Sequence, residues 1–191
     1  MTPIFAVVFV CTGNRFRSPL AAELLRRAVA GLPVEVRSVG TLDLGPVPPL
    51  PEAITEAARL GLDLSEHRAT PLAGEDLEAV DLVVGFERSH VVAAVVEGRA
   101  SRERTFTLTE LVHHLGLFQA PAIESAIERA RRAVALANGA RPPNPMLSAG
   151  GEIPDPLGQS RRVQRRTAER LPPLTARLAS ALFGREGPRD A

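Results

Sequence analysis

Cysteine is the most nucleophilic side chain near neutral pH, and this chain holds one, Cys11. It stands in the stretch VCTGNRFRSP, with Gly13 and Asn14 after it and Arg17, Ser18 and Pro19 closing the run. If Cys11 ends a strand and Pro19 opens a helix, residues 12–17 form a loop at a helix N-terminus. Its unpaired N–H groups and the helix dipole then hold an anion. Gly13 lets a bound group approach the backbone. Asn14 tolerates the left-handed conformation that turns successive N–H groups inward. Arg17 can bind two oxygens of a phosphate at once. The same positive surroundings favour the thiolate of Cys11, and Ser18 can donate a hydrogen bond to it as it leaves. Thr12, Gly13, Asn14, Arg15, Phe16, Arg17 and Ser18 are therefore the expected phosphate-binding residues around a nucleophile. A strand-terminal cysteine alone is more often a small buried hydrophobe; the spacing to Arg-Ser-Pro is what moves the reading to catalysis.

The elements needed to position this loop follow from periodicity. Residues 4–10 are an unbroken apolar run, which suits a parallel strand buried on both faces. Leu20, Glu23, Leu24, Arg27 and Ala28 follow Pro19 at helical spacing, and Gly31 is a plausible stop. Strands are expected at 34–41, 79–86 and 104–108, with helices at 52–60 and 89–97. This alternation predicts an α/β fold, a four-stranded parallel sheet in three layers with helices on both faces. A further helix is expected at 121–137, with Ile123, Ile127, Ala130 and Val134 on one face. A long Pro/Gly loop follows, suited to a lid. The last helix runs from near Ser160 to Phe183, and Pro172 and Pro173 should break or kink it.

The composition narrows the function classes. A length of 191 residues with 45% hydrophobic content suits one domain with a real core. A net charge of +1 argues against nucleic-acid binding driven by charge alone. No apolar stretch nears the ~20 residues that span a bilayer. A single cysteine cannot form an internal disulfide, and the N-terminus reads as lacking an export signal, so a cytoplasmic location is expected. His113 and His114 are adjacent, without ligands at metal spacing, so neither a metal nor a cofactor is expected.

VCTGNRFRSP resembles the phosphate loop of the low-molecular-weight protein tyrosine phosphatases, V-C-x-G-N-x-C-R-S-P. That family has a flavodoxin-like, Rossmann-like parallel sheet and a C-terminal Asp-Pro whose aspartate is the general acid. IPDPLG supplies Asp155 and Pro156. Two separated motifs in the right order are far more specific than either alone. VRSVGT and LSEHRATPL resemble further family segments, which implies that Ser38 and His67, with Asn14 and Ser18, support the loop. DLVVGFERSHV is similar to the family's D-L-I-x-x-M-D-x-x-H, with Phe86 and Glu87 in place of Met-Asp. His90 is expected to be structural.

The chain departs from the family at three places. Phe16 replaces the loop's second cysteine, so the usual protective disulfide cannot form and Cys11 is expected to be openly oxidisable. Leu157 and Gly158 stand where the family often has two tyrosines, which places a preference for phosphotyrosine in question. Residues at about 115–151 are longer than the family's corresponding segment and are expected to form a lid, a substrate wall or a docking surface. The leading function is hydrolysis of phosphomonoesters, on a phosphorylated protein or a small molecule, through a phosphocysteine. A single-cysteine arsenate reductase using an external thiol is the alternative. Less favoured is an anion- or nucleic-acid-binding module, suggested by the arginines of SRRVQRRTAER, which read better as a solvated helix face. The sequence does not specify an oligomeric state.

Overall fold

In the computed structural model, β1 (Phe5–Cys11) is the apolar strand that the sequence predicts, shifted one residue towards the cysteine. The structure describes residues 4–117, 125–143 and 150–184. Around β1 lie β2 (Val34–Gly40), β3 (Leu82–Gly85) and β4 (Thr105–Thr107) in the order β2-β1-β3-β4, every pairing parallel. The helices are α1 (Arg17–Ala28), α2 (Pro51–Arg59), α3 (Arg88–Val96), α4 (Leu108–Leu115), α5 (Ala126–Gly139) and α6 (Arg161–Phe183).

Strand alternation divides the core between the two faces of the sheet. Phe5, Val7, Phe9 and Cys11 point into the larger cluster, with Leu20 and Leu25 of α1, Leu111 of α4 and Leu171 and Leu178 of α6. Val8 and Val10 point into the smaller one, with Val83, Ala94 of α3, and Leu72 and Leu77 from the segment before β3. The result is the three-layer α/β sandwich. From β1 the chain crosses to β2 on one side, and after β2 it returns to β3 on the other. The C-terminal end of β1 is therefore a switch point, where connections diverge and leave a crevice. Cys11 sits there, paired with Gly40.

Three sequence expectations need correction. β3 begins at Leu82 rather than 79, because Asp81 turns aside to accept the N–H of Ala6 at 3.0 Å. α6 runs unbroken through Pro172 and Pro173. Leu171 and Leu178 pack into the core on either side of the prolines, and Thr175 Oγ1 bonds the carbonyls of Leu171 and Pro172 at 2.9 and 3.1 Å. Within the long segment at about 115–151, α5 is no lid: Ile127, Ala130, Val134 and Ala137 are buried in the main core against α6. Ile123 and residues 144–149 of the proposed lid loop lie outside the described residues. Among the described residues no helix is long and apolar enough to cross a membrane.

Candidate active site

The loop from Cys11 to Arg17 is held by Asn14. Its φ of 52° is the left-handed conformation expected of it. Its side-chain amide donates to Ser18 Oγ and to Ser38 Oγ, both at 2.9 Å. Its Oδ1 accepts the N–H of Thr70 at 2.9 Å, and its backbone carbonyl accepts from His67 Nε2 at 2.7 Å. An amide nitrogen can only donate, so Ser18 Oγ is an acceptor there and keeps its own hydrogen. The nearer acceptor for that hydrogen is Cys11 Sγ at 3.0 Å; Val39 O is at 3.5 Å. Asn14, Ser18 and Cys11 thus form one directed chain ending on sulfur, and Ser38 accepts the second hydrogen of the Asn14 amide and fixes its orientation. Burial keeps His67 neutral by lowering its pKa, and a carbonyl partner fixes its proton on Nε2.

The loop closes against β2 through a residue that sequence reasoning missed. A side chain on Gly40 would meet Asn14 N at 2.9 Å and both Gly13 C and Thr12 O at 3.0 Å. Only glycine lets the end of β2 pass so close. Thr41 and Leu42 donate their N–H groups to the carbonyls of Cys11 and Thr12, both at 2.9 Å. Phe16, the residue before α1, offers no capping oxygen, and the first turn of α1 has no side-chain cap. Cys11 is 2% exposed, because the loop folds over the strand end.

Arg17, 1% exposed, ties the loop to two distant segments. Its Nη1 donates to Glu87 Oε1 at 2.8 Å and to Ile153 O at 2.9 Å. Its Nη2 donates to Thr12 Oγ1 at 3.1 Å and to Asp155 Oδ2 at 2.5 Å. Its Nε is buried without a hydrogen-bond partner. Phe86 lies beneath, its ring centroid 5.9 Å from the guanidinium carbon. The segment carrying Asp155 is fixed by Ile153, whose N–H bonds Phe86 O at 2.9 Å. Glu152 points elsewhere, its carboxylate accepting the N–H of Arg88.

His90 also belongs to the site, beyond the structural role expected of it. Its Nδ1 accepts the N–H groups of Phe86 and Glu87 at 3.3 and 3.1 Å, so its proton resides on Nε2. Nε2 lies 3.1 Å from Thr12 Oγ1. Desolvation first, and the charge of Arg17 second, lower its pKa to about 4, so it is neutral at pH 7. The sequence points to Glu87 and His90 but not to their partners, which are some seventy or more positions away. Around the mouth, Leu44 lies 3.4 Å from where a side chain on Gly13 would begin, and Leu157 is 62% exposed.

A parallel sheet with a cysteine loop at its switch point, an arginine at the loop's end and an Asp-Pro facing it defines an α/β protein with a cradle suited to an anion. The family model described as low molecular weight phosphotyrosine protein phosphatase matches residues 6–120, and the chain belongs to that family. The chain is 42% identical over 81 residues to the probable low molecular weight protein-tyrosine-phosphatase EpsP of Ralstonia solanacearum, covering 42% of this chain and 54% of that one. It is 27% identical over 179 residues to the protein-arginine-phosphatase of Bacillus subtilis, covering 92% of this chain and 95% of that one. A cysteine-to-serine mutant of the YwlE arginine phosphatase, with a phosphorylated active site serine, superposes with a TM-score of 0.67 at 26% identity, over 92% of this chain and 94% of that one.

Proposed function

We propose that the chain is a cysteine-dependent phosphatase acting on phosphorylated protein. The observation that carries this is the directed chain Asn14–Ser18–Cys11, which places a hydroxyl donor 3.0 Å from the thiol sulfur. Such a donor stabilises a thiolate, both as nucleophile and as leaving group. The phosphoryl group would lie on the N–H groups of residues 12–18. The unpartnered Nε of Arg17 and its Nη2 would bind two of its oxygens. That contact competes with Asp155 for Nη2 and frees the carboxyl to act as general acid.

Cys11 Sγ attacks phosphorus, the bond to the leaving atom breaks, and Asp155 gives that atom a proton. Water then attacks the phosphocysteine, the P–S bond breaks, Asp155 takes the water's proton, and the thiolate returns held by Ser18. The related phosphatases favour this hydrolysis over arsenate reduction. A cytoplasmic location fits the single cysteine.

A second reading concerns the phosphorylated side chain. Leu157 and Gly158, rather than aromatic residues, follow Asp155-Pro156, so no aromatic wall there stacks on a tyrosine ring. A curated relative matched over nearly its whole length is a protein-arginine-phosphatase. Phosphoarginine is therefore the favoured substrate over phosphotyrosine, the P–N bond breaking with the same proton from Asp155. The test is kcat/KM for matched phosphoarginine and phosphotyrosine peptides with wild type and Cys11→Ser. Turnover of phosphoarginine at least tenfold faster, about 1.4 kcal/mol of barrier, and lost in Cys11→Ser, supports the reading. Faster turnover of phosphotyrosine would return the substrate to that class.

A further inference from the structure

The arginines of SRRVQRRTAER have no part in the site described above. Arg161 and Arg162 open α6 and line a groove of about 490 Å³ between α2 and α6. Arg59 and Arg165 line it too, as do Glu52 and Glu56. Glu56 lies 4.0 Å from Arg59, and Arg165 pairs with Glu169 at 2.8 Å. Arg161 and Arg162 form no ion pair with any described residue. They stand at the positive end of α6.

Gln164 also lines the groove. Its side-chain amide makes no hydrogen bond to any described residue and keeps contact with solvent, so it is free to bond a ligand there. The groove also adjoins the cysteine loop. Leu50 N donates to Arg15 O at 3.0 Å, and Arg15 Nε donates to Pro48 O at 2.8 Å. Pro51, the next residue after Leu50, already lines the groove.

Resting on the phosphatase reading above, we propose that this groove docks an acidic segment of the substrate protein beside its phosphorylated residue. Arg161 and Arg162 would bind its carboxylates, and the Gln164 amide its backbone. Four arginines against two glutamates in the lining suit a short acidic segment rather than a dense polyanion. Its lining residues include no aromatic platform of the kind that stacks nucleic-acid bases.

The test compares wild type with Arg161→Gln/Arg162→Gln on three probes. These are a phosphopeptide flanked by Asp and Glu, the same peptide flanked by Asn and Gln, and an aryl phosphate. The phosphorylated residue is whichever of phosphoarginine or phosphotyrosine wild type turns over. The variant should lose about tenfold in kcat/KM on the acidic peptide, mainly through KM. Its rates on the neutral peptide and the aryl phosphate should be unchanged, and the wild-type preference should shrink in high salt. Arg161→Glu/Arg162→Glu should invert the preference towards a peptide with basic flanks, which misfolding cannot do. Equal losses on both peptides, or no loss on the acidic one, would overturn the proposal. So would nanomolar binding of a single-stranded oligonucleotide, lost in the Gln variant while peptide kinetics stay unchanged. If wild type hydrolyses none of the probes, the catalytic reading fails on its own. The groove is then judged by fluorescence anisotropy, where the acidic peptide must bind wild type more tightly than the variant.

Discussion

At the scale of single residues, Asp155 carries the sharpest expectation. Its contact with Arg17 at 2.5 Å brings it to the loop without any large movement of its segment, which Ile153 anchors. General acid catalysis is typically worth ~10²–10⁴-fold, and a poor leaving group needs it most. Asp155→Ala should slow alkyl phosphates by that order and an activated aryl phosphate much less in the first step. Rapid-quench kinetics should then show a burst followed by slow turnover. Equal losses for good and poor leaving groups, with no burst, would assign Asp155 to structure alone. Much of this site was legible in the sequence because Cys11, Asn14, Arg17 and Ser18 are contiguous and their chemistry is local. Asp155, Ser38 and His67 needed a family resemblance, since an isolated Asp-Pro or histidine has many commoner uses. Thr70 was not legible at all: it contributes a backbone N–H, which any residue but proline has.

At the scale of elements, the loop works only if β2 lies directly against it. Gly40 permits that, and Gly40→Ala tests it. The added carbon would come within 3.0 Å of loop backbone, which cannot swing away as a side-chain tip can. We expect kcat to fall by about tenfold or more, as small misplacements in a catalytic centre do. The circular dichroism spectrum should be retained and thermal stability reduced. Unchanged kcat would mean that the loop tolerates a shift of β2. Sequence periodicity placed the four strands correctly in type and order, because continuous apolar runs mark buried parallel strands, but it missed α4, whose eight residues directly after β4 are too short to show a clear helical period. It misjudged α6, since the rule against internal proline is local while the packing of Leu171 and Leu178 is not. It also read α5 as an appendage, because nothing in its sequence names α6 as the surface it covers.

At the scale of the molecule, three histidines from different regions, His90 and His114 buried and His67 half-buried, join fold and pH. Burial lowers the pKa of His67, His90 and His114, that of His90 to about 4 from 6.5. The unfolded chain therefore binds more protons than the folded one between those values. This stability is fully present above about pH 6.5 and is lost as pH falls towards the folded pKa values. The share from His90 is at most about 3 kcal/mol, the full shift converted at 1.36 kcal/mol per unit. Urea midpoints should fall steadily from pH 7 to pH 4, and His90→Asn should flatten the slope. A midpoint that rises on acidification would contradict the neutral, buried assignment.

All of this converges on one atom, the sulfur of Cys11, held at the switch point of the sheet by Ser18 and Asn14. Because the chain has one cysteine, a covalent phosphoryl adduct on a thiol has one possible address. The direct measurement is acid quenching of Asp155→Ala during turnover of an aryl phosphate, followed by mass spectrometry of the proteolysed protein. One phosphoryl group on the peptide containing Cys11, forming within the burst and decaying as turnover ends, is the predicted result. Sustained Cys11-dependent hydrolysis with no adduct at any time, or an adduct on a different residue, would contradict the covalent mechanism.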